Sequence, residues 1–166
     1  MDAPFIVAVN GTAAGAGFSI AISGDLVFSS NSARFTVAYT KIGVSPDGGS
    51  TWMLPRIVGE KKAMELMLLN PVLKAEEALQ LGLISRIYPQ ADLHEEAFKV
   101  AYQLAAGPSL AFGETKRLLA DSSVNSMEHQ LELETRAIAG LARYSKDTKE
   151  GIGSFIEKRA PEFKGE

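Results

Sequence analysis

Hydrophobic positions along the chain change their period about a third of the way in. From Phe5 to Val9 they form a short β-branched apolar run that stops at Asn10-Gly11, a turn dipeptide. Small residues follow, with Gly15 and Gly17 among them, and then an apolar segment suited to a short buried helix. Leu26–Ser30 reads as a second buried strand, and the alternation from Ala33 to Tyr39 as a third. Residues 41–49 are dense in turn formers, and Ser50–Ile57 reads as a short helix interrupted by Pro55. From Glu60 onward the period is helical. Ala63, Leu66 and Met67 share one face, and Ala75, Ala78 and Leu79 share another ahead of a stop at Gly82. A short extended piece at 83–89 precedes four helical patterns, at 93–104, 109–119, 126–144 and 147–159, the third with Met127, Leu131, Ile138 and Leu141 along one face.

Short strands in the first half and helices in the second indicate an α/β core followed by an all-helical region, with the division placed as 1–105 and 106–166. The 166 residues suffice for one domain, or one domain with an appendage. A hydrophobic share of 46% with 22% charged residues is that of a folded globule. The net charge of −3 supplies no basic footprint, so nucleic acid is not an expected partner. There is no cysteine, and the two histidines, His94 and His129, lie among charged residues in helical patterns, so no metal site is expected. No apolar stretch reaches membrane-spanning length and no signal peptide opens the chain, giving an expected cytoplasmic or organelle-matrix location without membrane association. Met1-Asp2-Ala3-Pro4 leads straight into a buried-looking strand, which suggests a missing upstream partner.

The stretch with the clearest chemistry is Val7 to Asp25. A strand, a glycine-bearing turn and a helix start bring unpaired backbone N–H groups and the positive end of a helix dipole up to a ligand. Such a place suits a phosphate or an oxygen that gains charge during reaction, or is simply a tightly packed turn.

Four stretches together resemble the crotonase superfamily, the enoyl-CoA hydratases and isomerases. They are Pro4–Asp25 with Gly15-Ala16-Gly17; Phe35–Gly49, ending Ser45-Pro46-Asp47-Gly48-Gly49; Ala78–Ile84; and Glu150–Arg159. The resemblance covers the C-terminal two-thirds of a family member. It implies a spiral of ββα turns, here without its first turns, followed by a C-terminal helical trimerisation region that forms homotrimers or hexamers. It further implies an acyl-CoA thioester substrate, with coenzyme A as part of the substrate and no separate cofactor.

By resemblance, the backbone N–H of Ala16, flanked by Gly15 and Gly17, is one half of an oxyanion hole. The other half would lie in the absent segment. At the positions of the two hydratase glutamates stand Ser19 and Tyr39, neither of which can serve as a carboxylate base. Asp47 occupies the position of the single acid–base aspartate of Δ3,Δ2-enoyl-CoA isomerases and phenylacetate-pathway isomerases. Phe18, Trp52 and Met53 are candidates for an apolar wall around it. As a local motif, Pro-Asp-Gly is also an ordinary turn in which the aspartate caps the next helix. Phe155 and Lys158 match positions that reach a neighbouring subunit's coenzyme A, or belong to an ordinary amphipathic terminal helix. Asp25 reads as structural, closing a helix-to-strand corner.

The expected activity is double-bond isomerisation. The alternatives are an enoyl-CoA hydratase (a lyase) of fatty-acid or aromatic-acid degradation, and a truncated, catalytically incompetent binding or assembly module.

Overall fold

The computed structural model describes all 166 residues, which divide into two compact units. One is Phe5–Lys99, and the other combines Met1–Pro4 with Val100–Glu166. The division falls inside a helix, α5 (Leu93–Ala105), whereas the sequence reading places it where that helix ends. The difference arises because the first turns of α5 bury Leu93 and Ala97, while its C-terminal part buries none of its residues.

In the Phe5–Lys99 unit the chain alternates between two three-stranded sheets. β1 (Ile6–Val9), β3 (Leu26–Ser30) and β6 (Arg86–Tyr88) form a parallel sheet in the order β1-β3-β6, with Val7 opposite Val27 and Phe28 opposite Arg86. β2 (Thr12–Ala14), β4 (Arg34–Thr36) and β5 (Leu73–Lys74) form the second sheet, parallel between β2 and β4 and antiparallel between β4 and β5. The first two passes each give one strand to each sheet before a helix closes them: α1 (Ala16–Ile22) after β1 and β2, then α2 (Ser50–Val58) and α3 (Glu60–Leu69) after β3 and β4. α4 (Ala75–Gln80) joins β5 to β6.

Phe18, Phe35, Val37, Leu54 and Leu66 fill the core of this unit, all at most 3% exposed. Burying each aromatic or leucine side chain contributes about 1.5–3 kcal/mol. The corner between α1 and β3 is tied down by Asp25. Its carboxylate accepts the Phe5 N–H at 2.6 Å, and its own N–H donates to the Phe5 carbonyl at 2.8 Å, which is the structural role expected of it. Gly24 is required there, since a Cβ at that position would sit 2.8 Å from Val7 Cγ2.

The helical unit contains α6 (Ser109–Ser122), α7 (Met127–Tyr144) and α8 (Lys146–Glu157). Ser126 and Ser145 cap α7 and α8, accepting the N–H groups of His129 and Thr148 at 3.3 Å. The last residues fold back onto the start of α8. The Glu166 main-chain oxygen accepts from the N–H groups of Lys146 and Asp147 and from Ser145 Oγ. The buried Asp147 carboxylate accepts the N–H groups of Lys164 and Gly165, each at 2.8 Å. Glu150 grips Arg159 through both of its oxygens and also accepts the Glu162 N–H. No helix is long and apolar enough to cross a membrane.

Several local expectations are corrected. β2 is a strand that its small residues do not announce, and β4 stops at Thr36 instead of running to Tyr39. Pro55 does not interrupt α2, because the acceptor it forfeits, the Thr51 carbonyl, lies in the first turn of the helix. Leu79 is 41% exposed, not inward. Along the apolar face of α7, Met127, Leu131 and Ile138 are exposed and Leu141 is partly covered, and no residue of that helix is buried.

Candidate active site

Gly15 makes the turn from β2 into α1 with φ +55° and ψ −125°, a conformation that glycine alone adopts without strain. Ala16 is the first residue of the helix, and Ala16 and Gly17 are both exposed. Their N–H groups belong to the first helical turn, which has no intrahelical acceptor, and they stand at the positive end of the helix dipole.

Ser19 is the fourth residue of α1 and is 1% exposed. Its Oγ lies 3.1 Å from the Tyr39 hydroxyl, 3.0 Å from the Asp47 main-chain oxygen and 3.5 Å from the Gly15 main-chain oxygen, so its one proton is shared among three acceptors. The Tyr39 O–H in turn donates to Asp47 Oδ1 at 2.5 Å. Residues 20 and 28 positions apart in sequence from Ser19 therefore close a compact hydrogen-bonded cluster.

The backbone pays for this closure at several points. Ala38 takes a left-handed conformation (φ +62°), turning the chain out of β4 and into a short 3-10 turn, Tyr39–Ile42, that aims the phenol at Asp47. For a residue with a Cβ that conformation costs roughly 1–2 kcal/mol. Gly48 and Gly49 are also at positive φ, +61° and +78°. Gly48 has a second requirement, because a Cβ there would come within 2.9 Å of Ser19 Cβ. Strained backbone of this kind concentrates where side-chain placement matters more than stability.

The cluster decides how Asp47 is used. Its carboxylate does not cap α2: the residue before that helix is Gly49, with no side-chain cap. The Asp47 main-chain oxygen accepts instead, from Ser50 N–H at 3.2 Å and Ser50 Oγ at 2.9 Å. The carboxylate is left with Oδ1 on Tyr39 and Oδ2 without a protein partner. Tyr39, 8% exposed, is held above its ordinary pKa first by burial and then by the neighbouring Asp47 carboxylate, which keeps it a proton donor at neutral pH.

The apolar wall expected around Asp47 is not formed as the sequence reading has it. Asp47 is exposed. Phe18 is sealed in the core at 1% exposure, and Met53 packs half-buried against the core cluster. Trp52 is 52% exposed and lies under the Arg56 guanidinium, whose carbon is 3.9 Å from the ring centroid. Phe155 and Lys158 belong to the helical unit. Phe155 is 85% exposed, and Lys158 is the exposed left-handed cap of α8 at φ +55°. His94 and His129 are both exposed on helices. No group of histidine, aspartate and glutamate side chains is arranged to hold a metal ion.

The family model described as enoyl-CoA hydratase/isomerase matches residues 1–166. The 1,2-epoxyphenylacetyl-CoA isomerase of Escherichia coli K12 is 41% identical over 162 residues, covering 98% of this chain and 62% of that protein. A Rhodobacter capsulatus protein named "Probable enoyl-CoA hydratase" is 43% identical over 162 residues, covering 98% and 63%. Among solved structures, an enoyl-CoA hydratase/isomerase from Cupriavidus metallidurans CH34 superposes with a TM-score of 0.91 at 36% identity, covering 98% of this chain and 61% of that one. An enoyl-CoA hydratase from Polaromonas sp. JS666 gives 0.92 at 35%, covering 97% and 62%. The chain spans a little over three-fifths of the length of these relatives. The spiral of alternating strand pairs and helices is the crotonase fold, and the chain belongs to the enoyl-CoA hydratase/isomerase family.

Proposed function

We propose that the protein to which this chain belongs shifts the double bond of an enoyl-CoA thioester, with Asp47 as the one acid–base group. The observation that carries this reading is the composition of the cluster: one carboxylate, with one oxygen free, among hydroxyl groups. A 1,3-proton shift needs one such group. Asp47 Oδ2 takes a proton from the carbon at one end of the allylic system, and the electron pair of that C–H bond delocalises onto the thioester oxygen. The carboxylic acid then returns the proton to the carbon at the other end, and the carboxylate is restored. The Ala16 N–H at the start of α1 stabilises the oxyanion while it exists. One such backbone or side-chain donor contributes about 2.7–4 kcal/mol in comparable sites.

The substrate brings its own coenzyme A, and the residues of the cluster require no further cofactor. Phe155 and Lys158 are assigned to contact with the coenzyme A held by a neighbouring subunit, Lys158 through a phosphate. The exposed apolar residues of α7 and α8, Leu131, Ile138, Ile152 and Ile156, suit self-association as a trimer or a pair of trimers.

Rates of isomerisation of a 3-enoyl-CoA and of hydration of crotonyl-CoA test the assignment. Isomerisation is expected to dominate and to fall by at least about a hundred-fold in Asp47→Asn. Unchanged isomerisation in that variant would sink the role given to Asp47. Dominant hydration would favour the hydratase alternative.

A further inference from the structure

Within that acid–base reading, on which this step rests, we infer that Tyr39 is a positioning residue that makes Asp47 a one-oxygen base. The Tyr39 O–H holds Oδ1 at 2.5 Å, and Ser19 Oγ holds the main-chain oxygen of the same residue at 3.0 Å. Asp47 is thereby fixed at two points, one on its side chain and one on its backbone. A carboxylate attached to a turn between two positive-φ glycines and an exposed loop would otherwise rotate about its own bonds.

Three independent features converge on this hold. The phenol is buried although its partner is exposed. Ala38 bears a left-handed backbone conformation in order to direct it. The Ser19 hydroxyl, on a different element, touches both the phenol and the aspartate main chain.

The chemical consequence is specific. With Oδ1 occupied, only Oδ2 can receive the proton, so the oxygen that removes it is also the one that returns it. The Tyr39 hydrogen bond survives the transfer. It is donated to a carboxylate oxygen beforehand and to the carbonyl oxygen of the carboxylic acid while Oδ2 carries the proton. Tyr39 never gives up its own proton, in agreement with a phenol held above its ordinary pKa by burial and by Asp47. Proton return is thus confined to one face of the substrate without a second acid.

Two measurements test the inference, and the first needs no turnover. In a spectroscopic pH titration of the four tyrosines of this chain, one tyrosine should ionise later than the rest, be absent in Tyr39→Phe, and move to lower pH in Asp47→Asn. A Tyr39 titration indifferent to Asp47→Asn would overturn the contact itself. In the isomerase assay, Tyr39→Phe should lower kcat about ten- to a hundred-fold with KM nearly unchanged, the loss expected when a hydrogen bond to a charged group is removed. Ser19→Ala should show the same split with a smaller drop. An inactive Asp47→Asn beside a fully active Tyr39→Phe would overturn the positioning role alone, whereas an active Asp47→Asn would overturn the acid–base reading beneath it. Should Tyr39→Phe fail to fold, comparison of the unmodified chain with Asp47→Asn in the titration still decides the contact.

Discussion

The two units of this chain hold themselves together by opposite means. All the buried apolar side chains lie in Phe5–Lys99, from Val9 to Ala97. The helical unit has none; of its buried polar residues, Ser145 and Asp147 belong to the α8 cap and the clasp on the last residues, and the Ser154 hydroxyl donates to the Gly151 carbonyl within α8. Leu119, Leu131, Ile138, Phe155 and Ile156 of that unit are more than half exposed, and its other large apolar side chains are at most partly covered. One unit closes a buried apolar core, and the other adds local hydrogen bonds and ion pairs to helices whose apolar side chains are only partly covered. The Ser19–Tyr39–Asp47 cluster sits in the first, where Phe18 and Val37, close neighbours in sequence of Ser19 and Tyr39, are locked by packing. That is the support which a site of fixed geometry needs.

The contrast can be broken most forcefully from the core side. Phe35→Ala empties a fully buried site and should cost about 3–5 kcal/mol, read as a large fall in the denaturation midpoint. Ser145→Ala removes the α8 cap and one donor to Glu166, and should cost about 1 kcal/mol, read locally as faster amide exchange in the first turn of α8.

The charge half of the clasp is sharpened by acid. Hydrogen bonds from Arg159, and next from the Glu162 N–H, lower the Glu150 pKa from 4.5 to about 2. A depressed carboxylate pKa contributes stability that is complete above 4.5 and is lost as pH falls from there through about 2. Tail residues 159–166 should therefore loosen over that window, as seen in their amide exchange, and Glu150→Gln should remove the share of the dependence that Glu150 carries, leaving that of Glu166, whose pKa Lys146 also lowers. The smallest effect on the chain itself is expected from Leu131→Glu with Ile138→Glu. Both sites are already exposed, so thermal stability at low concentration should hardly move, while concentration-dependent association measured by sedimentation should weaken.

Much of the fold is legible in the sequence because hydrophobic period marks most elements. β1, β3, α3, α5 and α7 all lie where the pattern puts them. β2 is not, since Thr12-Ala13-Ala14 has neither β-branched bulk nor alternation, and its strand character comes from pairing with β4. Pro55 misleads for a related reason: its cost depends on which carbonyl it orphans. The site is legible one residue at a time, through resemblance, but the relation among Ser19, Tyr39 and Asp47 is not. Nothing local reports that a serine inside an apolar helix faces a phenol 20 residues later. The available signal is the polarity of Ser19 between Phe18 and Ile20, together with Ala38 and Gly48 taking left-handed turns that only a structure displays.

The close approach of Gly48 to Ser19 also constrains how this sequence can change. A glutamate at position 19 would have to place a longer, charged side chain where the Gly48 backbone and the Asp47–Tyr39 pair already stand. It would bring a second carboxylate next to the first, and like charges at such range oppose ionisation of both. Ser19→Glu alone is therefore expected to destabilise the cluster, unless the 45–49 loop shifts to make room. The one-carboxylate and two-glutamate arrangements thus differ in the space beside residue 19 as well as in the residues at 19 and 39, and the backbone of the 45–49 loop is part of what separates them.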